Sequence, residues 1–290
     1  MTDTAELTGA SAEAIDFHYS VGNAFYRLWL DDSLTYSGAL WDADDTLEAA
    51  QRRKLDYHFD QSGIAEGMRV LDIGCGWGSA VRRMTAERGV AQAVGLTLSQ
   101  AQADWLGTQP SPKIEVRIES WQDHSPPQPY DAIISIGAFE HFAKAGLPRA
   151  DKITTYRDFF HRCHGLLRSG GRMTLQTIAY GNIAPDNRSA FVEKQIFPES
   201  DLPTLAEIAD ASHGVFEITA LRNDRLHYLR TAREWHRRLR AKRAEAVALV
   251  GPETVTRYET YLGLFIIGFH TGSLHLLRLT LSRNDKPQPW

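Results

Sequence analysis

The chain has 290 residues, 43% of them hydrophobic, and 32 Lys and Arg against 36 Asp and Glu give a net charge of −4. This length suits one large α/β domain, and the balanced charge excludes a globally basic nucleic-acid-binding protein. The longest apolar run, 262–269, is too short to cross a bilayer, and the acidic N-terminus lacks a secretion signal. Cys75 and Cys163 have neither metal-ligand nor disulfide spacing, so we expect a cytoplasmic protein without a metal site.

The apolar pattern predicts N-terminal helices followed by a sheet. Two short helices are expected within 11–30 and an amphipathic helix over 46–64. Apolar runs typical of strands then alternate with helical patterns. The predicted strands are 68–74, 91–99, 114–120, 130–137 and 171–181, and the predicted helices are 77–89, 99–107 and 151–171, the last closed by two glycines. This alternation predicts an α/β protein with a parallel, doubly wound, Rossmann-like sheet.

The alternation breaks before the last strands, where residues 182–210 are polar and rich in proline. The remaining predicted elements are a strand at 215–224, helices at 229–250 and 253–270, and a strand at 274–283. We predict one domain with a helical cap at 1–66, a core sheet at 67–181, 214–224 and 274–284, and a lid or insertion at 182–213 and 225–273. Ligands of doubly wound sheets bind at the carboxyl ends of the strands, so the insertion is expected to cover that edge.

A glycine-rich turn follows the first predicted strand in the stretch VLDIGCGWG. Gly74, Gly76 and Gly78 open the next helix, and Asp72 lies just before the turn. Glycines allow the backbone to bend sharply and to approach a ligand closely. No phosphate-binding Lys follows, which excludes a P-loop. A purely structural turn is the alternative, and the strand–turn–helix–strand context favours a nucleoside-binding site.

Nicotinamide-dependent enzymes are the main rival class for such a turn. They usually carry an acidic residue at the end of the second strand, where it holds the ribose hydroxyls. Here that strand ends in Thr97, Ser99 and Gln102, which offer only neutral hydrogen-bonding groups. The pattern therefore argues moderately against a dinucleotide.

The stretches VLDIGCGWG, VGLTLSQAQ, SIGAFEHF and HYSVGNAFYRLWLDDSLTYSGALW, in their order along the chain, resemble a known family. This is the cyclopropane fatty acid synthase and mycolic acid cyclopropane synthase family of S-adenosylmethionine-dependent methyltransferases. The resemblance runs from residue 17 to the C-terminal strand and implies a class I methyltransferase sheet with S-adenosylmethionine as cofactor. The residues it implies for cofactor binding are Tyr36, Ser37, Asp72, Gly74, Gly76, Thr97, Leu98, Gln102, Trp121 and Gln122.

The resemblance also implies a bicarbonate ion beside the reacting carbon. The five matching positions, treated as catalytic, are Gly38, Glu140, Gln176, Ile178 and Tyr228. Two of them depart from the family pattern, because Gly38 replaces a Cys and Gln176 replaces a His. A glycine keeps the main-chain carbonyl, whereas a glutamine cannot carry a proton in place of histidine.

In SIGAFEHF a carboxylate, Glu140, stands among aromatic side chains at the end of a buried strand. Methyl transfer to an alkene would create a carbocation, which needs a dry site, aromatic faces and a nearby carboxylate. Loss of a proton would then give a cyclopropane or a methyl branch. The residues expected to stabilise the cation or to stand beside it are Tyr19, Phe139 and His141, with Tyr36, Trp41 and Tyr228 as further aromatic candidates. Without the resemblance, Glu140 would be read as an acid stabilised by a helix dipole.

Three alternatives remain open at this point. The acceptor is either lipid-like or a small natural product, and an amine acceptor would make the protein an N-methyltransferase instead. A non-catalytic S-adenosylmethionine-binding module is a third reading, and Glu140 argues against it.

Two segments of the insertion are also open to two interpretations. The basic run 230–243 is either a solvated helix face or a docking surface for an acyl carrier protein or an anionic lipid head group. The aromatic residues of 253–270 are either core or the wall of an acceptor tunnel, and we expect mostly core.

Overall fold

A computed structural model describes residues 21–183 and 200–286. Its sheet has seven strands in the order β3-β2-β1-β4-β5-β7-β6. The strands are β1 Arg69–Ile73, β2 Gln92–Thr97, β3 Ile114–Ile118, β4 Tyr130–Ile136, β5 Leu167–Tyr180, β6 Phe216–Asn223 and β7 Leu274–Arg283. Strands β1 to β5 pair in parallel, and the order reverses between β1 and β4, which confirms the doubly wound prediction.

Strand β7 departs from the expected parallel arrangement. It pairs antiparallel with both β5 and β6, and Leu274 at its start lies opposite Tyr180 at the end of β5. The helical insertion before β7 lies at the carboxyl edge of the parallel strands. The chain therefore re-enters the sheet from that edge, which gives β7 its opposite direction.

The described helices surround this sheet and cover its carboxyl edge. They are α1 Asn23–Tyr26, α2 Leu47–Ser62, α3 Ser79–Glu87, α4 Gln100–Gly107, α5 Arg149–Leu166, α6 Leu205–Ser212, α7 Arg225–Ala241, α8 Arg243–Val250 and α9 Pro252–Thr271. The helix predicted at 229–250 is thus two helices that meet at Lys242, whose backbone angles are not helical. In the described ranges, no helix combines the length and the apolar character needed to cross a membrane.

The two glycines at 170 and 171 do not close a helix, contrary to the prediction. Helix α5 ends at Leu166, and Leu167 already has extended angles and pairs with Tyr130. The register between β4 and β5 then shifts, and Gly170 adopts a φ of 70° within the shifted segment. These glycines therefore allow an irregularity at the start of β5, where other residues would be strained.

An aromatic core joins the N-terminal segment to the insertion. Trp29 packs edge-on against Trp235 of α7, and the hydroxyls of Tyr26 and Tyr258 hydrogen-bond at 2.8 Å. Of the N-terminal helices expected at 11–30, α1 lies within the described residues and the rest of the range up to residue 20 lies outside them. The packing of residues 25–36 against α7 and α9 places the cap over the carboxyl edge of the sheet.

Candidate active site

The glycine turn after β1 opens into a cavity. Gly74 has a φ of 83°, and a Cβ there would lie 2.4 Å from the Cβ of Ala138, so a larger residue is excluded. Gly76 has a φ of 55°, and a Cβ there would meet nothing within 4 Å. The turn therefore brings bare backbone up to open space, as a bound nucleoside requires.

We call this space the cofactor cavity. Its wall comes from the segment before α2, from α2 itself, from the glycine turn and α3, and from the end of β4. The lining residues are Leu34, Thr35, Tyr36, Ser37, Lys54, Leu55, Asp72, Gly74, Cys75, Gly76, Trp77, Ser79, Ala80, Gln102, Ile136 and Gly137. Six of the ten residues predicted to bind the cofactor are in this wall.

Thr97 supports the cavity from behind its lining. Its hydroxyl donates to Oε1 of Gln102 at 2.7 Å and also accepts from the amide of Ser99 at 3.1 Å. Ser99 in turn caps α4 by accepting from the amide of Gln102. The neutral residues after β2 thus form one buried network that fixes the Gln102 side chain at the cavity.

The three other predicted cofactor residues lie outside this wall. Trp121 is half-buried and packs its ring against Phe142 and Phe159, with centroids 5.4 and 5.3 Å away. Gln122 is exposed, and Leu98 is half-buried. None of the three lines the cofactor cavity, so their contact with the cofactor stays a prediction. The ring of Trp121 is part of the core beside α5.

The segment carrying Tyr36 and Ser37 is fixed by buried polar groups. The carboxylate of Asp31 accepts from the amides of Ser33 and Thr35 at 3.0 and 2.9 Å. From α2, Nε2 of Gln51 donates to the carbonyls of Thr35 and Ser37 at 3.1 and 2.9 Å. These bonds hold the segment rigidly over the sheet edge.

A second cavity adjoins the first, and we call it the acceptor cavity. Its lining residues are Tyr36, Ser37, Gly137, Glu140, His141, Gln176, Thr177, Ile178, Tyr228, Tyr261 and Leu276. Tyr36, Ser37 and Gly137 line both cavities. A group transferred between bound molecules would cross at these three residues, so the arrangement suits direct transfer from one cavity to the other.

Among the described residues that line the acceptor cavity, Glu140 is the one carboxylate. It lies in a short 3₁₀ turn, Phe139–His141, and is 4% exposed. Burial raises its pKa to about 7, although the hydroxyl of Thr177, 3.1 Å from Oε2, and the main-chain amides of Glu140 and Ile178 oppose the rise. Glu140 can therefore exchange a proton near neutral pH.

The structure corrects the predicted role of Phe139. Its ring is fully buried and stacks on Tyr156 of α5 with centroids 4.5 Å apart, and it is absent from the acceptor-cavity wall. Neighbouring residues of the 3₁₀ turn point in different directions, so Glu140 and His141 reach the cavity while Phe139 enters the core. Burial lowers the pKa of His141 to about 4, which keeps this imidazole neutral. Tyr19 lies outside the described residues.

The residues expected to hold bicarbonate do not fit that role here. The Gly38 carbonyl accepts from Nη2 of Arg278 at 3.0 Å and from Nε2 of Gln176 at 3.3 Å. Oε1 of Gln176 accepts from Nε of Arg278 at 2.8 Å, and the Ile178 amide is bonded to Glu140. Three of the five expected ion ligands are thus engaged within the protein.

The departure from Cys at position 38 has a steric reason. A Cβ on Gly38 would lie 2.7 Å from Cδ2 of Leu276 and 2.9 Å from Cγ of Tyr228. Tyr228 is itself held by a stack on Phe269 with centroids 4.4 Å apart. The chain around Gly38 is therefore packed too closely for a side chain.

Sequence reasoning missed several residues of the two cavities and their support, among them the polar residues Lys54, Thr177, Asp224 and Arg278. Tyr261 is one of the aromatic residues of 253–270 for which both the core and the acceptor wall were left open. It is buried and it lines the acceptor cavity, where its hydroxyl accepts from that of Tyr36 at 3.2 Å. Thr177 could have been found from its place between Gln176 and Ile178. Within the described residues no cluster of His, Cys, Asp and Glu suits a metal ion.

The basic run on α7 and α8 is partly neutralised by internal contacts. Arg230 lies over the ring of Trp41, and Arg238 forms ion pairs with Glu48 and Glu234. Trp41 is therefore engaged at the surface and does not line the acceptor cavity. The exposed basic residues without an ion pair among the described residues are Arg233, Arg240 and Lys242.

Comparison with curated proteins finds relatives that are named as cyclopropane mycolic acid synthases. A family model described as mycolic acid cyclopropane synthetase matches residues 7–279. Cyclopropane mycolic acid synthase 2 of Mycobacterium leprae is 35% identical over 280 residues, which cover 86% of this chain and 87% of that relative. The protein of the same name in Mycobacterium tuberculosis (strain CDC 1551 / Oshkosh) is 36% identical over 294 residues, 90% and 93% of the two chains.

Solved structures agree with the sequence matches. The cyclopropane synthase MmaA2 from Mycobacterium tuberculosis aligns with a TM-score of 0.85 at 31% identity, over 95% of this chain and 99% of that one. Mycolic acid cyclopropane synthase CmaA1 complexed with SAH and CTAB gives the same TM-score at 30% identity and the same coverage. Coclaurine N-methyltransferase, at 19% identity and a TM-score of 0.79, shows a likeness of fold alone. The chain belongs to the mycolic acid cyclopropane synthetase family and is an S-adenosylmethionine-dependent methyltransferase.

Proposed function

We propose that this enzyme methylates an alkene carbon of a lipid-like acceptor and that Glu140 takes up the proton that leaves the product. The observation that carries the proposal is the position of Glu140 in a cavity that shares Tyr36, Ser37 and Gly137 with the cofactor cavity. When bound, S-adenosylmethionine supplies an electrophilic methyl group, whose attachment to one alkene carbon leaves a positive charge on its neighbour.

The residues around the acceptor cavity suit a short-lived cation. Tyr36, Tyr228 and Tyr261 line it, and an aromatic face stabilises a nearby cation by about 0.5–2 kcal/mol. Tyr228 and Tyr261 come from α7 and α9, the helices that cover the carboxyl edge of the sheet. This cover excludes water, which would otherwise trap the cation as an alcohol.

Glu140 provides both charge and a proton acceptor. Its ionised carboxylate faces the cation as a counter-charge, and its pKa of about 7 suits it to accept a proton at neutral pH. His141 is neutral and hydrogen-bonds through Nδ1 to the Ser200 hydroxyl at 3.3 Å, so we assign it to the cavity wall. Loss of the proton from the transferred methyl carbon closes a cyclopropane, whereas loss from an adjacent carbon leaves a methyl-branched alkene.

The lipid-like acceptor is supported by the relatives. Those with 35% and 36% identity are named for the synthesis of cyclopropane mycolic acids, and a relative in Pseudomonas putida with 32% identity is named a probable fatty acid methyltransferase. The cavity wall also contains apolar Ile178 and Leu276 beside the tyrosines. We extend the lipid-like acceptor to this chain on that basis.

Mass spectrometry with a deuterated donor tests the proposal. The enzyme is incubated with S-adenosylmethionine carrying a trideuterated methyl group and with a cis-monounsaturated acyl lipid, its saturated analogue, or a secondary amine. We expect label only in the unsaturated lipid. A cyclopropane retains two deuterium atoms of the methyl group, whereas a methyl-branched alkene, formed by loss of a proton from a chain carbon next to the cation, retains all three. Label in the amine alone would overturn the proposal in favour of N-methylation.

A further inference from the structure

Lys54 is a buried cation that the proposed reaction does not use. It lies on α2, its side chain is fully buried, and it lines the cofactor cavity. A buried ammonium is costly unless it is paired with an anion or fully hydrogen-bonded. The position of Lys54 in the wall of the cofactor cavity therefore needs a reason.

The protein itself satisfies this ammonium only in part. Nζ of Lys54 donates to Oγ of Ser37 at 2.8 Å. Within the described residues this is the one hydrogen bond or ion pair that Lys54 makes, although an ammonium has three N–H donors. The remaining donors lie at the wall of the cofactor cavity.

The neighbouring charges do not provide the missing partner. Asp31 attracts Lys54, but its carboxylate already accepts from the amides of Ser33 and Thr35. Asp72 also attracts Lys54 and lines the same cavity, yet no salt bridge joins the two. Burial dominates, and with repulsion from Arg278 it lowers the pKa of Lys54 to about 7.

The cofactor carries groups that could pair with Lys54 and Asp72. Its amino acid part is a zwitterion, with an α-carboxylate and an α-ammonium on one carbon. The cavity presents a buried ammonium on α2 and a buried carboxylate, Asp72, at the end of β1. We propose that Lys54 binds the α-carboxylate of the cofactor, with Asp72 on the side of the α-ammonium.

This role would fix the orientation of the donor. Ser37, which accepts the Lys54 hydrogen bond, lines both the cofactor and the acceptor cavities. Lys54 would therefore tie the amino acid end of the cofactor to the residue beside which the methyl group crosses. The inference concerns the cofactor alone, so it is independent of which acceptor the enzyme uses.

A binding experiment with two ligands and two variants tests it. Calorimetry measures the affinity of S-adenosylhomocysteine and of its decarboxylated analogue, which differs only in the α-carboxylate. In the unmodified enzyme we expect the analogue to bind roughly 10- to 100-fold more weakly, the effect of a charge-assisted hydrogen bond. In Lys54→Met this difference should shrink to less than about 3-fold. Lys113→Met, a change at an exposed lysine, is the matched control and should keep the full difference.

Two results would overturn the inference. Equal affinity of the unmodified enzyme for both ligands would show that no group recognises the carboxylate, and this result needs no variant. A Lys54→Met enzyme that still discriminates fully between the ligands would assign recognition to another residue and leave Lys54 as support for Ser37. Circular dichroism of the variant establishes that it is folded, and if it is not, Lys54→Gln replaces it.

Discussion

The guanidinium of Arg278 on β7 donates to the main-chain carbonyl of Gly38, with 3.0 Å between Nη2 and O. Arg278 is fully buried, and it also donates to Gln176 and forms an ion pair with Asp224. One side chain thus ties the last strand to the N-terminal segment, to β5 and to the start of α7. These contacts hold Gln176, which lines the acceptor cavity, and Gly38, which follows the lining residue Ser37 in the chain.

Arg278→Met should destabilise the protein strongly. The variant removes the buried ion-pair partner of Asp224 and the donor of the Ala39 carbonyl, and it leaves the Gly38 carbonyl and the Gln176 amide oxygen with only one longer contact each, at 3.3 Å to Gln176 and to His58. We expect a loss of about 3–5 kcal/mol in the free energy of unfolding. Arg222→Met is the matched control, because Arg222 pairs with the same Asp224 but its side chain is 42% exposed; the change should cost about 0–1 kcal/mol. Urea titration measures both, and similar losses would contradict this account of the buried network.

Turnover should be independent of bicarbonate. The Gly38 carbonyl, Gln176 and the Ile178 amide are engaged by protein groups, so the ion lacks most of its expected ligands. We expect equal rates in bicarbonate-depleted and bicarbonate-supplemented buffer. Gln176→His should not create a dependence by itself, because Arg278 still occupies the Gly38 carbonyl. If the rate of the unmodified enzyme rises several-fold with added bicarbonate, the conclusion that these residues do not fit the ion is wrong.

The contiguous motifs were predictable from the sequence. A few neighbouring residues are enough to identify the glycine turn, the Thr97–Gln102 stretch and Glu140, because turn chemistry and strand ends are local properties. The parallel, doubly wound arrangement of β1 to β5 followed from the alternation of strands and helices. The direction of β7 did not follow, because it depends on the edge at which the insertion lies.

The buried polar network could not be predicted. Arg278 meets Gln176 and Gly38 across 102 and 240 positions of sequence, and no local pattern marks an arginine in a strand as fully buried. Phe139 was wrongly assigned for a related reason. The stretch AFEHF shows which residues lie near one another, but the twist of a 3₁₀ turn decides which of them enters the cavity and which enters the core.

Glu140→Gln should abolish most turnover and leave cofactor affinity nearly unchanged. The amide fills the same space but can neither balance a cation nor accept a proton, so kcat should fall about 10²- to 10⁴-fold. Glu140 lines the acceptor cavity but not the cofactor cavity, so binding of S-adenosylhomocysteine should change less than about 2-fold. Glu66→Gln, at an exposed site, controls for loss of charge. Full activity in Glu140→Gln would remove Glu140 from the mechanism.

The pH profile of kcat should rise through about pH 7, because the base must be ionised and burial raises the pKa of Glu140 to about 7. Thr177→Val removes a hydrogen bond to the ionised carboxylate. The pKa of Glu140 should therefore rise further, and the acid limb should move roughly one unit toward alkaline pH.

Thr174→Val is the matched control on β5, because the Thr174 hydroxyl is buried without a partner among the described residues. Its profile should coincide with that of the unmodified enzyme. If Thr177→Val leaves the limb in place, the titrating group is Lys54 or Asp72 instead, whose pKa values also lie at about 7.

The exposed basic residues of α7 and its C-terminal end test the docking hypothesis. Arg237 and Arg238 pair internally with Glu234, whereas Arg233, Arg240 and Lys242 remain exposed. Replacing these last three by Gln should weaken an acceptor bound to an acidic carrier protein or to an anionic head group, since long-range attraction is lost. KM for that acceptor should rise several-fold at low salt and converge with the unmodified value at high salt, while KM for an uncharged fatty acyl ester stays constant. The control is an equal change of charge at exposed sites elsewhere, Arg52, Lys113 and Arg157. Parallel changes for both kinds of acceptor would assign the basic run to a solvated helix face, because a docking surface acts only on the partner that carries the opposite charge.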